Sequence, residues 1–183
     1  MITSSAQDAS AFAAPLARQF QLFLDEHRAF IRDSLEGLTE GEVRTRLVPS
    51  GTTLLGLVKH ASFVEQVWFN EAVTCRSRED IGCPPGPDES FQLYTADTIQ
   101  SVQDAHRRIC EESRAASALL DLDDVVTGNR RGPLPMRWIY LHMLRELAQH
   151  CGHADILREQ ILAGRSMPPG TSPVPSATTG STR

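Results

Sequence analysis

The sequence predicts an all-α protein, specifically a four-helix bundle. Apolar residues recur at helical spacing through four long segments, and no stretch alternates as a half-buried strand would. The breaks between those segments are rich in proline and glycine.

The first long segment begins near Ala14, with Pro15 suited to a first helical turn. Leu16, Phe20, Phe23, His27, Phe30, Ile31 and Leu35 follow at helical spacing, and Gly37 is the natural stop. Thr39-Glu40-Gly41-Glu42 has the form of a capping box, which predicts a short helix to about Leu47. Pro49-Ser50-Gly51 breaks the chain. The second long helix starts at Thr52 or Thr53 and runs to about Val73. Its apolar positions are Leu54, Leu57, Val58, Ala61, Val64, Val67 and Trp68. His60 shares their side, whereas Lys59, Ser62, Gln66 and Asn70 fall on the other.

Residues 75–90 read as a loop in which Pro84-Pro85-Gly86-Pro87 forbids regular structure. The third helix runs from an N-cap at Thr95 to Leu120, with Ile99, Val102, Ile109, Ala116, Leu119 and Leu120 as its buried stripe. Residues 121–135 are a second loop. The fourth helix extends from about Met136 to Ala163, and Gly164 ends it. The domain therefore covers residues 1–163. Residues 164–183 are Pro, Ser, Thr and Gly with almost nothing to bury, and read as a disordered tail.

A length of 183 residues is enough for one domain with a substantial core. The net charge is −5 and Lys59 is the only lysine, which argues against nucleic acid as a partner. No apolar run is long enough to span a membrane and no secretory leader is visible, so the reading is a cytoplasmic protein. Cys75, Cys83, Cys110 and Cys151 form no CxxC pair, and four free thiols are expected.

The fourth helix carries the chemistry. At 100° per residue, with His142 at zero, Glu146 falls near about 40°, His150 near about 80° and His153 near about 20°. Ile139, Met143, Leu157 and Ile161 share that face, so it looks inward. Arg137, Arg145, Asp155 and Glu159 lie opposite, and Cys151 points away from the His/Glu face. Several imidazoles and a carboxylate on an apolar stripe are costly to bury without a partner, and a divalent metal would satisfy them together. Glu146 and His150 stand at i, i+4, and His60 on the second helix is the natural third ligand. That set leaves open positions, as catalytic zinc sites do, and equally suits nickel, iron or manganese. His153 could replace Glu146, support a ligand or bind substrate. His142, one turn before Glu146, suits the mouth of the site. His27 and His106 read as ordinary histidines, and Trp68 and Trp138 as core or cavity wall.

Gly56-Leu57-Val58-Lys59-His60, followed by Val64-Glu65 and Trp68-Phe69, resembles the second-helix signature of the DinB-like superfamily. Trp138 through Glu159 resembles its last-helix signature, above all Glu146-Leu147-Ala148-Gln149-His150-Cys151-Gly152-His153-Ala154-Asp155. The resemblance spans residues 15–163 and is strongest to an actinobacterial branch of DinB-like proteins. It implies an up-down-down-up bundle and a metal, zinc foremost, held by a helix-two histidine and an H-x3-H pair on the last helix. Here Glu146 stands in the first position of that pair and His150 in the second, which is similar to the mycothiol-dependent maleylpyruvate isomerases. The resemblance also implies a low-molecular-weight thiol such as mycothiol as co-substrate, a small-molecule electrophile and a homodimer. Two other readings stand beside it: a metal-dependent hydrolase, and a non-catalytic binding or accessory protein whose site His153 would close.

Overall fold

The structure is a computed structural model that describes residues 12–165. The described chain is mostly helical. In order it forms α1 (Leu16–Asp33), α2 (Glu40–Val43), α3 (Leu54–Glu65), a π-helical segment (Gln66–Glu71), α4 (Ala72–Thr74), α5 (Pro87–Ser90), α6 (Ile99–Ser117), β1 (Val125–Val126), β2 (Leu134–Pro135) and α7 (Met136–Arg165).

Local chemistry sets the helix starts. The Thr53 hydroxyl accepts from the Gly56 N–H and caps α3. Thr39 and Glu42 close the expected capping box around α2, which is only one turn long. The third long helix starts later than expected: its N-cap is Thr98, with Ser101 answering as the reciprocal partner, rather than Thr95.

α1 packs chiefly on α7, and α3 on α6, while α3 also touches α7. With neighbours on both sides, α3 is buried nearly all round. Ser62, Gln66 and Asn70, read from the sequence as facing outward, are therefore buried too. Leu24, Ile31, Leu55, Val58, Ile139, Met143 and Leu147 have no exposed surface. Each such side chain contributes roughly 1.5–3 kcal/mol of apolar burial.

The buried stripe of α1 is Phe20, Leu24, Arg28 and Ile31; Phe23, Phe30 and Leu16 are exposed. Arg28 donates Nε–H and Nη2–H to the two oxygens of Glu65 at 2.8 and 2.7 Å, with both residues buried. A charged pair thus lies buried at positions that the apolar spacing did not mark as core. α6 ends at Ser117, so Leu119 lies beyond it and is exposed, and His106, Cys110 and Ser113 join the buried face of the helix.

Two segments read as irregular are partly ordered. Pro87 occupies the first turn of α5, where its missing N–H costs nothing, and Asp88 and Glu89 complement that helix end. β1 and β2 pair antiparallel, Val126 opposite Leu134, and lead directly into α7. α7 continues through Gly164 to Arg165, whose guanidinium grips both Glu42 oxygens and the Gly37 carbonyl. The predicted tail, from residue 166 onward, lies outside the described residues. No helix among the described residues is long and apolar enough to cross a membrane.

Candidate functional site

α3 and α7 bring His60, His142, Glu146 and His150 to one wall of the fold. The His60 and His150 rings meet edge to face, centroids 4.9 Å apart. His150 Nε2 lies 3.8 Å from Glu146 Oε2, and His142 Nε2 lies 3.8 Å from Glu146 Oε1. Both gaps exceed a hydrogen bond. Both ring nitrogens of His150 are buried without a hydrogen-bond partner among the described residues. Burial pushes His150 below the ordinary histidine range, although the Glu146 carboxylate pulls the other way. As they stand, no three His, Cys, Asp or Glu side chains among the described residues are grouped so that they could hold a metal ion.

His60 is held from behind. Its Nδ1 lies 2.6 Å from Ser90 Oγ, and Ser90 donates its single hydroxyl hydrogen to the Pro87 carbonyl at 2.5 Å. Ser90 Oγ must therefore accept from His60 Nδ1–H, which leaves the Nε2 lone pair free. Phe91 stacks on the ring at 4.0 Å. Gly56 eases this cover: a Cβ there would stand 3.0 Å from the Phe91 carbonyl oxygen, so a side chain would push that backbone away by a few tenths of an ångström. Burial, with a smaller contribution from His150, lowers the His60 pKa to about 4, so the ring is neutral at pH 7.

His142 sits between the tryptophans, stacked on Trp138 at 5.0 Å and edge-on to Trp68 at 4.3 Å. Arg145 donates to its Nδ1 at 2.9 Å and to Glu146 Oε1 at 3.2 Å. A guanidinium only donates, so the His142 hydrogen is on Nε2. The π-helical segment carries Val67 and Trp68 to the cavity wall.

The cavity beside these groups has a volume of about 330 Å³. His60, Trp68, His142 and Glu146 line it. Glu71, Arg78, Asn129, Arg130 and Arg131 are also in its lining.

The structure does not bring His153 into this group. That residue is exposed, its ring 6.0 Å from His150, and it opens on a different hollow beside Val48 and Ile156. All four cysteines are free. None lines the cavity, and burial pushes the Cys83 and Cys151 thiols up to about 11. Cys151 does turn from the His/Glu face, but it is buried against α1, its thiol on the His27 carbonyl at 3.5 Å.

Sequence reasoning missed Ser90, Phe91, Arg78, Arg130 and Arg131. Pro87 followed by two acidic residues was a visible helix-start signal for the first two. The arginines lie in loops whose path no periodicity reveals.

Residues 19–163 match the family model described as mycothiol-S-transferase. The chain belongs to that family. Membership of the mycothiol-S-transferase family also places it in the DinB-like superfamily, and two solved structures share its fold. One is a conserved protein from Enterococcus faecalis, 15% identical, with a TM-score of 0.64 over 82% of this chain and 99% of that one. The other is a DinB-like protein from Bacillus cereus ATCC 10987, 16% identical, with a TM-score of 0.59 over 79% and 91%. No curated protein matches the chain by sequence.

Proposed function

We propose that this mycothiol-S-transferase family member transfers mycothiol to a small electrophile, using a divalent metal held by His60, Glu146 and His150. The observation that carries the reading is His150, whose two ring nitrogens are buried without a partner beside a second neutral imidazole. A buried polar ring without a partner is costly, and a ligand that accepts its lone pair removes the cost. Two neutral imidazoles and a carboxylate suit zinc first, and nickel, iron or manganese as well. When bound, such an ion supplies positive charge that favours the thiolate form of the thiol at neutral pH.

The remaining residues support that chemistry directly. Ser90 fixes the His60 tautomer, so Nε2 is available. Phe91 and Trp68 shield the imidazoles from water. His142 Nε2–H and the exposed Arg145 offer donors to the bound thiol or its sugar. In the transfer a sulfur–carbon bond forms, the leaving group departs with the electron pair of the broken bond, and the thiol proton passes to buffer.

The reading includes the scaffold. α1, α3 through α4, α6 and α7 are taken as the four helices of an up-down-down-up bundle, supported by the packing of α1 on α7 and of α3 on α6. Residues 1–163 are taken as its single domain. Homodimerisation is supported by apolar side chains left exposed on α1 and α7, among them Phe23, Phe30, Leu141 and Ile156.

The test is conjugation of mycothiol to monobromobimane by zinc-loaded protein. Conjugate formation above the uncatalysed rate, lost by at least about 100-fold in His60→Ala, is the predicted result. Equal rates with and without protein, under zinc, nickel, iron and manganese alike, would remove the proposal.

A further inference from the structure

We infer that the electrophile taken by this site carries a carboxylate, recognised by Arg130 and Arg131; the inference rests on the thiol-transfer reading above. Three guanidiniums line the cavity, those of Arg78, Arg130 and Arg131, against the carboxylates of Glu71 and Glu146. Arg78 is already committed. It donates to Glu71 Oε2 at 2.9 Å and to the Pro85 carbonyl at 2.5 Å, so that pair is neutral. Glu146 lies beside His142 and His150, 3.8 Å from each. Arg130 and Arg131 have no carboxylate or carbonyl partner among the described residues, and both are exposed.

These two arginines are positioned by the loop that carries them. Gly128 donates its N–H to the Ala72 carbonyl at 3.0 Å, and a Cβ at Gly128 would stand 2.3 Å from the Glu71 carbonyl oxygen. Only glycine can lie that close, so the loop is anchored on the end of the second long helix. Asn129 then closes a turn, accepting from the Arg131 N–H at 2.9 Å and donating to the Gly132 carbonyl at 3.0 Å. The Arg131 guanidinium lies 5.9 Å from the Trp68 ring centre and 5.8 Å from that of Trp138. Trp138 stacks on His142, so one continuous run of groups connects Arg131 to the imidazoles.

Unpaired guanidiniums over a cavity favour an anion, and their planar forks match a carboxylate. Mycothiol itself carries neither carboxylate nor phosphate, so this recognition falls to its co-substrate. In the matched case of 4-(bromomethyl)benzoate, sulfur attacks the benzylic carbon, the S–C bond forms, and bromide leaves with the C–Br electron pair.

The probe pair for binding is 4-methylbenzoate and 4-methylbenzamide, which differ in the charged group and cannot react. Trp68 and Trp138 are the only tryptophans, so intrinsic fluorescence reports on this cavity. The zinc-loaded wild type should bind the carboxylate about tenfold more tightly than the amide, as charge-assisted hydrogen bonds allow. Arg130→Gln/Arg131→Gln should abolish the preference, and Arg130→Lys/Arg131→Lys should restore part of it. The same ranking should appear in kcat/KM for 4-(bromomethyl)benzoate against 4-(bromomethyl)benzamide. Equal binding of the two probes, or a preference that survives the glutamine variant, overturns the inference. Conjugation of both electrophiles at one rate, with equal binding, overturns it and leaves the transferase reading intact. A carboxylate preference in binding without any conjugation upholds the anion site and overturns the transferase reading.

Discussion

The rings of His60, on α3, and His150, on α7, meet at 84° with centroids 4.9 Å apart. One of them is oriented from behind by Ser90, while the other has no hydrogen-bond partner at either nitrogen among the described residues. That asymmetry is what the proposed metal would resolve.

Ser90→Ala should weaken metal binding without unfolding the protein. Ser90 is buried, and the change removes only the oxygen that fixes the His60 tautomer. Loss of such a supporting partner typically costs 10–100-fold in affinity, so a drop of about tenfold or more is expected in competition with a fluorescent chelator. An unchanged affinity would mean that His60 is oriented by Phe91 stacking alone.

Stability of the metal-free protein should fall as the pH drops from about 6.5 to about 4. His60 is held down to about 4 and His106 to about 3, both mainly by burial. The unfolded chain takes up these protons near the ordinary histidine value of about 6.5, before the folded chain does, so acid favours unfolding throughout that window. Stability should be level above about pH 7. For His60 the full effect is on the order of 3 kcal/mol. Urea melts in that range should show a shallower pH slope for His60→Asn than for wild type.

Arg28→Met should destabilise the fold by about 3–5 kcal/mol, because Glu65 would remain buried with no counter-charge. Combining it with Glu65→Leu should recover most of the loss. Chemical denaturation of the two single variants and the double variant checks this, and a double variant no better than Arg28→Met would refute it.

Gly128→Ala should disturb the arginine loop more than the fold. The added methyl would collide with the Glu71 and Ala72 carbonyls and push the loop off its anchor. A loss of about 1–3 kcal/mol is expected in thermal or urea unfolding. The 4-methylbenzoate preference should decline with it, even though both arginines remain.

The helical content and the identity of the clustered residues were legible in the sequence, because a helical period reports which side chains share a face. His142, Glu146 and His150 fall together on α7, and the His150 ring meets that of His60. The same arithmetic put His153 on the face, yet it is exposed and opens on the hollow beside Val48 and Ile156, although Leu157 and Ile161 farther along α7 are buried. Spacing also misassigned α3 and α1. A helix covered from two sides buries its polar residues as well, and a buried stripe tolerates Arg28 when Glu65 stands opposite. What could not be read was tertiary in origin. Phe91 reaches His60 where Gly56 eases the approach of its backbone, and Arg131 reaches the tryptophans because Gly128 and Asn129 shape its loop.

The central claim is a metal held by His60, Glu146 and His150. Elemental analysis of protein purified without an immobilised-metal column tests it most directly. The account predicts close to one equivalent of zinc, or of nickel, iron or manganese, in the wild type, and its loss in a folded His150→Ala variant. Absence of stoichiometric metal from the wild type, even after incubation with each ion in excess, would contradict it.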